Sequence, residues 1–349
     1  TPAVKALTLL AALTLGPAPA AALQLTVIHT NDIHGWVMAR PAKDDPSRLI
    51  GGAAALASFY RKQTGPKLLL DAGDWFQGTP EGMISRGEAS VEVFNAIPYD
   101  AVVVGNHDFD MKESRLKELV SMIKAPVLGA NIYDEKTHRR TPYLKPWFIK
   151  EISGVKVGLF GLLTTNMRNL TFPENYEGLE FRDESAEAKD AVRELKKLGA
   201  TVIILLDHVG FEQADMARFE GDQAIAREVA GIDLIVGGHT HTSLRAPYRD
   251  QRHGTLIVQA GAYLSAVGKV TLEVDDKTGR VLSSSGALID LWIDQVGQDP
   301  RLMGLVAKQT ARVAAVYDVV IATSQALLTR NRQGESSLGD WMTDCERAW

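Results

Sequence analysis

Five short clusters of Asp, Asn and His lie between residues 32 and 241: Asp32-Ile33-His34, Gly73-Asp74, Gly105-Asn106-His107-Asp108, Asp207-His208 and Gly238-His239-Thr240-His241. Carboxylate, amide oxygen and imidazole are donors for a borderline-to-hard divalent cation, and five of the eight histidines fall in these clusters. No cysteine is among them. Zn(II), Mn(II), Fe(II) or Co(II) fits such a donor set, whereas a structural zinc ribbon or an iron–sulfur cluster does not. The candidate ligands outnumber what one ion needs. A single bridging carboxylate holds two ions roughly 3.5–4 Å apart, a pairing that polarises a phosphoryl oxygen and supplies a nucleophile at neutral pH.

Singly, each cluster has a plainer reading. Asp32-Ile33-His34 can be an Asx-turn after a strand, Gly73-Asp74 a helix N-cap, Gly105 to Asp108 an ordinary turn, and His208 a satisfied core histidine. Gly238-His239-Thr240-His241 puts two imidazoles on one side of an extended segment. Their recurrence at the ends of consecutive apolar runs favours the ligand reading.

Those runs are Leu25 to Ile28, Lys67 to Leu70, Ala101 to Val104, Val155 to Leu163, Thr201 to Leu206, Leu234 to Val236 and Leu256 to Val258. Helix-like stretches separate them: Ala53 to Gln63, Ser114 to Ile123, and Ser185 to Leu198 with Gly199 as its stop. The alternation predicts an α/β fold, in which strand ends converge on one crevice and can bring distant clusters together. Gly268 to Leu282 alternates with period two about a turn and reads as a hairpin. Asp299-Pro300 opens a helical pattern that runs to Tyr317.

At 349 residues the chain can bury a real core, and its one cysteine, Cys345, excludes a disulfide-stapled mini-protein. The formal charge of −5 provides no global positive field, which argues against a duplex nucleic-acid partner. Residues 1–22 combine Lys5, an apolar stretch from Ala6 to Leu15 and a small-residue tail, the grammar of a signal peptide. That stretch falls short of the ~20 residues a spanning helix needs, so the expectation is an exported, periplasmic or extracellular protein without a transmembrane segment.

With all five clusters in order, the chain resembles the calcineurin-like metallophosphoesterase superfamily, whose pattern is Asp-x-His, Gly-Asp, Gly-Asn-His-Asp/Glu, a single His, then Gly-His-x-His. More narrowly, Val27 to Gly35, Leu68 to Asp74, Gln77-Gly78-Thr79, Tyr99 to Asp110, Gly129 to Ile132 and Val236 to His241 resemble the secreted 5'-nucleotidase / UDP-sugar hydrolase family. Protein Ser/Thr phosphatases carry Gly-Asp-x-Val-Asp-Arg-Gly where this chain has Gly73-Asp74-Trp75-Phe76-Gln77-Gly78.

The resemblance implies a four-layer α/β/β/α sandwich over residues 23–296, a connecting helix and linker over 297–325, and the truncated start of a C-terminal nucleotide-binding domain over 326–349. It implies two divalent ions, zinc first, with manganese, cobalt, iron or magnesium as alternatives. Asp32, His34 and His241 would hold one, Asn106, His208 and His239 the other, and Asp74 would bridge them. His107 would sit against the phosphoryl group, oriented by Asp110. Asn31, Asp71 and Gln259 stand as supporting groups or as local turn bonds; His29, His138 and His253 stand as packing or surface. The implied activity is release of phosphate from small-molecule nucleoside 5'-monophosphates by a hydroxide held between the ions. A 2',3'-cyclic-nucleotide phosphodiesterase, a UDP-sugar pyrophosphatase and a catalytically poor fragment that only binds metal are the alternatives.

Overall fold

Lys67–Asp71 and Val202–His208 are apolar on both faces, and a strand of that kind is stable only when covered on both sides. Leu68 and Leu70 join one core while Leu69 joins another; Val202, Ile204 and Leu206 part from Ile203 and Leu205 in the same way. This period-two division builds the architecture. The computed structural model describes residues 22–212, 221–331 and 333–349. The leader read from residues 1–22 lies, apart from Ala22, outside them.

One six-stranded sheet runs in the order Val281–Asp290, Ala266–Asp275, Ala22–Thr30, Lys67–Asp71, Ala101–Val103, Val127–Leu128. The second runs Tyr248–Arg249, Leu256–Val258, Leu234–Val236, Val202–His208, Val155–Leu163, Trp147–Ile152. In each sheet the four strands ahead of the site pair in parallel, with antiparallel strands added at the edges. Leu25, Val27, Leu68 and Leu70 meet Val157, Leu159, Ile204 and Val236 in the core between the sheets. Helices Ala53–Lys62, Glu88–Ala96 and Lys112–Met122 cover the outer face of the first sheet, and Glu184–Lys197 and Gly221–Glu228 that of the second. The four-layer α/β/β/α sandwich is therefore present.

The expected hairpin is the pair Ala266–Asp275 and Val281–Asp290, and the expected helices appear within a residue or two of their predicted bounds. Asp183 caps Glu184–Lys197 by accepting the Ala186 N–H, and Gly199 follows its end at φ 88°. Helices Pro80–Ile84, Glu88–Ala96 and Gly221–Glu228 were not anticipated. His29 packs in the core against Gly268, where an added Cβ would lie 1.7 Å from its Nε2; His138 is exposed beside Glu180. The chain divides into two units, one reaching Gln309 and the other Thr310–Trp349, the division falling within helix Pro300–Tyr317. The second unit carries helix Ser337–Ala348, none of whose residues is buried. Among the described residues no helix is long and apolar enough to cross a membrane.

Candidate metal centre

Parallel strands end at one edge, and there the loops after the two neighbours Ala22–Thr30 and Lys67–Asp71 stay zipped together. Asp32, His34 and Gly35 donate backbone N–H groups to the carbonyls of Gly73, Asp74 and Trp75, each at 2.9 Å. Asp32, His34, Asp74, His239 and His241 all take positive φ, between 50° and 76°. Left-handed backbone costs a non-glycine residue free energy, and its clustering at five candidate ligands marks a constrained functional site. Glycine is required beside them: a Cβ on Gly105 would lie 2.1 Å from Asp74 Oδ1, and one on Gly238 would lie 2.8 Å from His208 Nδ1.

These constraints aim the side chains inward. His208 Nδ1–H donates to the Ala72 carbonyl at 2.6 Å, leaving Nε2 3.1 Å from Asp74 Oδ2 and 3.8 Å from Asp32 Oδ1. His34 Nδ1–H donates to the Gln77 carbonyl at 2.7 Å, leaving Nε2 3.6 Å from Asp74 Oδ2 and 3.8 Å from Asp32 Oδ1. His241 Nε2 lies 3.1 Å from His34 Nε2 and 3.3 Å from Asp32 Oδ1. Asn106 Oδ1 and His239 Nδ1 lie 2.9 Å apart and line the same cleft. Two groups of three, Asp32 with His34 and His241, and Asp32 with Asp74 and His208, each gather their donor atoms within 4.8 Å.

Supporting bonds come from farther along the chain. Asn31 donates to Asp32 Oδ2 at 2.7 Å and to the Gly261 carbonyl at 2.6 Å, and accepts from the Ala260 N–H at 2.7 Å. Gln259 donates to the Gly238 carbonyl at 2.6 Å, and Asp71 accepts from Thr30 at 2.7 Å and from the Gly73 N–H at 3.0 Å. Asp108 accepts from the N–H groups of Asp74, Trp75 and Gly105, gripping the chain that carries Asp74. The rim also includes Tyr263 and Leu170, in a cleft of about 380 Å³. Neither was anticipated, because neither residue type signals a ligand.

The cage fits a cation. His208 Nε2 is buried without a hydrogen bond of good geometry, and the ring nitrogens of His34 and His241 face each other over Asp32. Burial alone would lower the His208 pKa, but the Asp74 and Asp32 carboxylates push it up to about 10. Burial likewise works against the Asp74 charge, yet His208 and His34 hold its carboxyl below the ordinary range. Burial lowers His239 to about 4, aided by the charge on His208. A proton on His208 thus occupies the charge position that a cation suits. Loading a divalent ion at neutral pH is expected to release about one proton, with affinity rising about tenfold per pH unit toward pH 10. Calorimetry in buffers of differing ionisation enthalpy measures this, and absence of proton release refutes it.

His107 stands apart from the cage contacts. Its Nδ1–H donates to Asp110 Oδ2 at 2.6 Å, while its backbone N–H donates to Asp74 Oδ1 at 2.9 Å. Burial depresses its pKa, but the Asp110 bond and the Asp74 charge more than offset this and raise it. The imidazole therefore lines the cleft with Nδ1 tied to Asp110 and its charged form better supported than in a free imidazole.

Known proteins are similar to the chain over most of its length. The 5'-nucleotidase of Crotalus adamanteus venom is 34% identical over 292 residues, covering 76% of this chain and 48% of its own length. The human 5'-nucleotidase is 32% identical over 316 residues, covering 83% and 53%. The chain spans about half the length of these curated relatives. The crystal structure of a 5'-nucleotidase precursor from Thermus thermophilus superposes with a TM-score of 0.78 at 28% identity, covering 92% of this chain and 66% of that one. The sequence profile of the calcineurin-like phosphoesterases matches residues 25–243, and with the sandwich and the inward-facing Asp, Asn and His side chains it establishes that this chain belongs to that family.

Proposed function

We propose that this chain is the catalytic part of an exported phosphohydrolase that holds two divalent cations, zinc first, and releases phosphate from nucleoside 5'-monophosphates. One observation carries the reading: Asp74 Oδ2 lies 3.6 Å from His34 Nε2 and 3.1 Å from His208 Nε2, so one carboxylate serves two groups of imidazoles. Asp32, His34 and His241 would hold one cation, Asn106, His208 and His239 the other, and Asp74 both. Bound there, a cation pair supplies Lewis acidity, drawing charge from the phosphoryl oxygens and lowering the pKa of water.

The chain's own residues do the rest. Asp110 accepts the His107 Nδ1–H and steadies the imidazolium, whose second proton is held at Nε2, facing the cleft. Water oxygen adds to phosphorus, the ester P–O bond breaks, the departing alkoxide takes the Nε2 proton, and one proton of the attacking water returns to Nε2 while the other leaves with phosphate. Asn31, Gln259 and Asp108 keep the loops from drifting as charge develops. The names of the relatives support nucleotides as the substrate class, and the pattern of residues 1–22 supports export. Phosphate release from a panel of 5'-monophosphates, 2',3'-cyclic nucleotides and UDP-sugars, with metal content measured on the same sample, tests the reading. Turnover of 5'-monophosphates above the other classes is expected; metal-loaded protein inert toward all of them defeats it.

A further inference from the structure

We infer that Thr171, held by Asn175, is a positioning residue that aims the His107–Asp110 pair at the leaving group. The inference rests on the phosphohydrolase reading above. It begins in a loop far from every motif. Helix Met167–Leu170 is pinned by Met167, which is fully buried in the core outside the first sheet, and Leu170 lines the cleft. The Thr171 N–H closes the helix on the Met167 carbonyl at 3.1 Å, and the turn Pro173–Asn175 follows, with the Asn175 N–H on the Phe172 carbonyl at 2.9 Å.

From this anchored loop a directional relay reaches the cleft. Asn175 Nδ2–H donates to Thr171 Oγ1 at 2.7 Å, Thr171 Oγ1–H donates to Asp110 Oδ1 at 3.1 Å, and Asp110 Oδ2 accepts His107 Nδ1–H at 2.6 Å. The order has one solution. An ionised carboxylate only accepts, so the single hydroxyl proton of Thr171 goes to Asp110, and Asn175, 6% exposed, must supply its amide hydrogen to the hydroxyl oxygen. Each oxygen of Asp110 is thereby tied, and the carboxylate cannot turn about its Cβ–Cγ bond without breaking one tie. The imidazole plane follows the carboxylate. Thr171 touches no reacting atom; it acts through Asp110.

Its effect must scale with how much the departing oxygen needs a proton. An alkyl alkoxide leaves poorly without a general acid, whereas p-nitrophenolate leaves readily without one. The test uses the full chain, with ribose 5-phosphate and p-nitrophenyl phosphate as substrates and metal content as a control. In Thr171→Val, kcat for ribose 5-phosphate is expected to fall about tenfold or more and for p-nitrophenyl phosphate about threefold or less, since small misplacement of a catalytic group is costly. KM should change less than kcat. Thr171→Ser should restore both rates, and Asn175→Ala should shift them in the direction of the valine variant. Nitrogen-15 histidine spectra give a readout independent of turnover: the His107 Nδ1–H resonance should move in Thr171→Val and return in Thr171→Ser. Equal losses on both substrates, failure of serine to rescue, or an unmoved imidazole resonance overturns the inference. A wild-type chain that releases no phosphate from either ester overturns the reading beneath it, while the resonance still decides whether Thr171 holds the pair.

Discussion

Asp74→Asn is expected to abolish both cation retention and phosphate release while leaving the fold in place. The amide keeps an oxygen for the His107 N–H that Asp74 Oδ1 now accepts, so the backbone around Gly105 and Asn106 has no reason to move. What disappears is the negative charge between His34 and His208. Removing a mere supporting partner of a metal ligand costs roughly 10- to 100-fold in affinity, so losing a carboxylate that faces both imidazole groups should cost at least about 100-fold. The same charge helps hold the His208 proton, and without it Asp32 is the one carboxylate left among those that oppose burial there. Elemental analysis of carefully exchanged protein, beside phosphate release, measures both losses. Retention of a full complement of cations by Asp74→Asn contradicts the shared-carboxylate reading.

His107→Ala has the opposite signature: cation content preserved and turnover lost. The His107 backbone N–H still meets Asp74, and the ring's own hydrogen bond goes to Asp110 with only an edge contact on His34, so the cage keeps its polar contacts. Loss of a positioned general acid lowers rates by about 10²–10⁴-fold, and kcat should fall within that range for nucleoside monophosphates. Asp110→Asn keeps the ring but loses the carboxylate that fixes its tautomer, and should land between the wild type and alanine. A chain that binds metal for structure alone has no turnover to lose. Equal rates in wild type and His107→Ala therefore sink the catalytic role assigned to this imidazole.

Much of the centre was legible because residue type is itself the chemistry. Asp32, His34, Asp74, Asn106, His208, His239 and His241 announce donor atoms wherever they stand, and the apolar runs before them announce strands. The two-faced runs at Leu68 to Leu70 and Val202 to Leu206 implied burial on both sides, though not that two sheets would stack. That partition depends on pairing between distant strands, which no local pattern states. The left-handed backbone at five candidate ligands was equally hidden, since no glycine marks those positions; only Gly105 hinted at close approach. Asp108 stood in a recognised cluster, yet its grip on Asp74, Trp75 and Gly105 is a long-range fact. Thr171 gave no signal at all, being an ordinary threonine whose importance comes from reaching Asp110 across 61 positions.

The inward-facing donors come from the same edge of both sheets: Asp32, His34, Asp74 and Asn106 follow strands of the first, while His208 ends a strand of the second and His239 and His241 follow another. A cation gripped by both would therefore act as a rivet joining the two sheets at one edge of the sandwich, and the unfolded chain has nothing comparable to offer it. By mass action, free ion at a hundred times its dissociation constant adds about 2.7 kcal/mol to the resistance of the whole domain to melting. On the proposed reading, the ionic composition of its surroundings would govern how long the molecule endures as well as how fast it works.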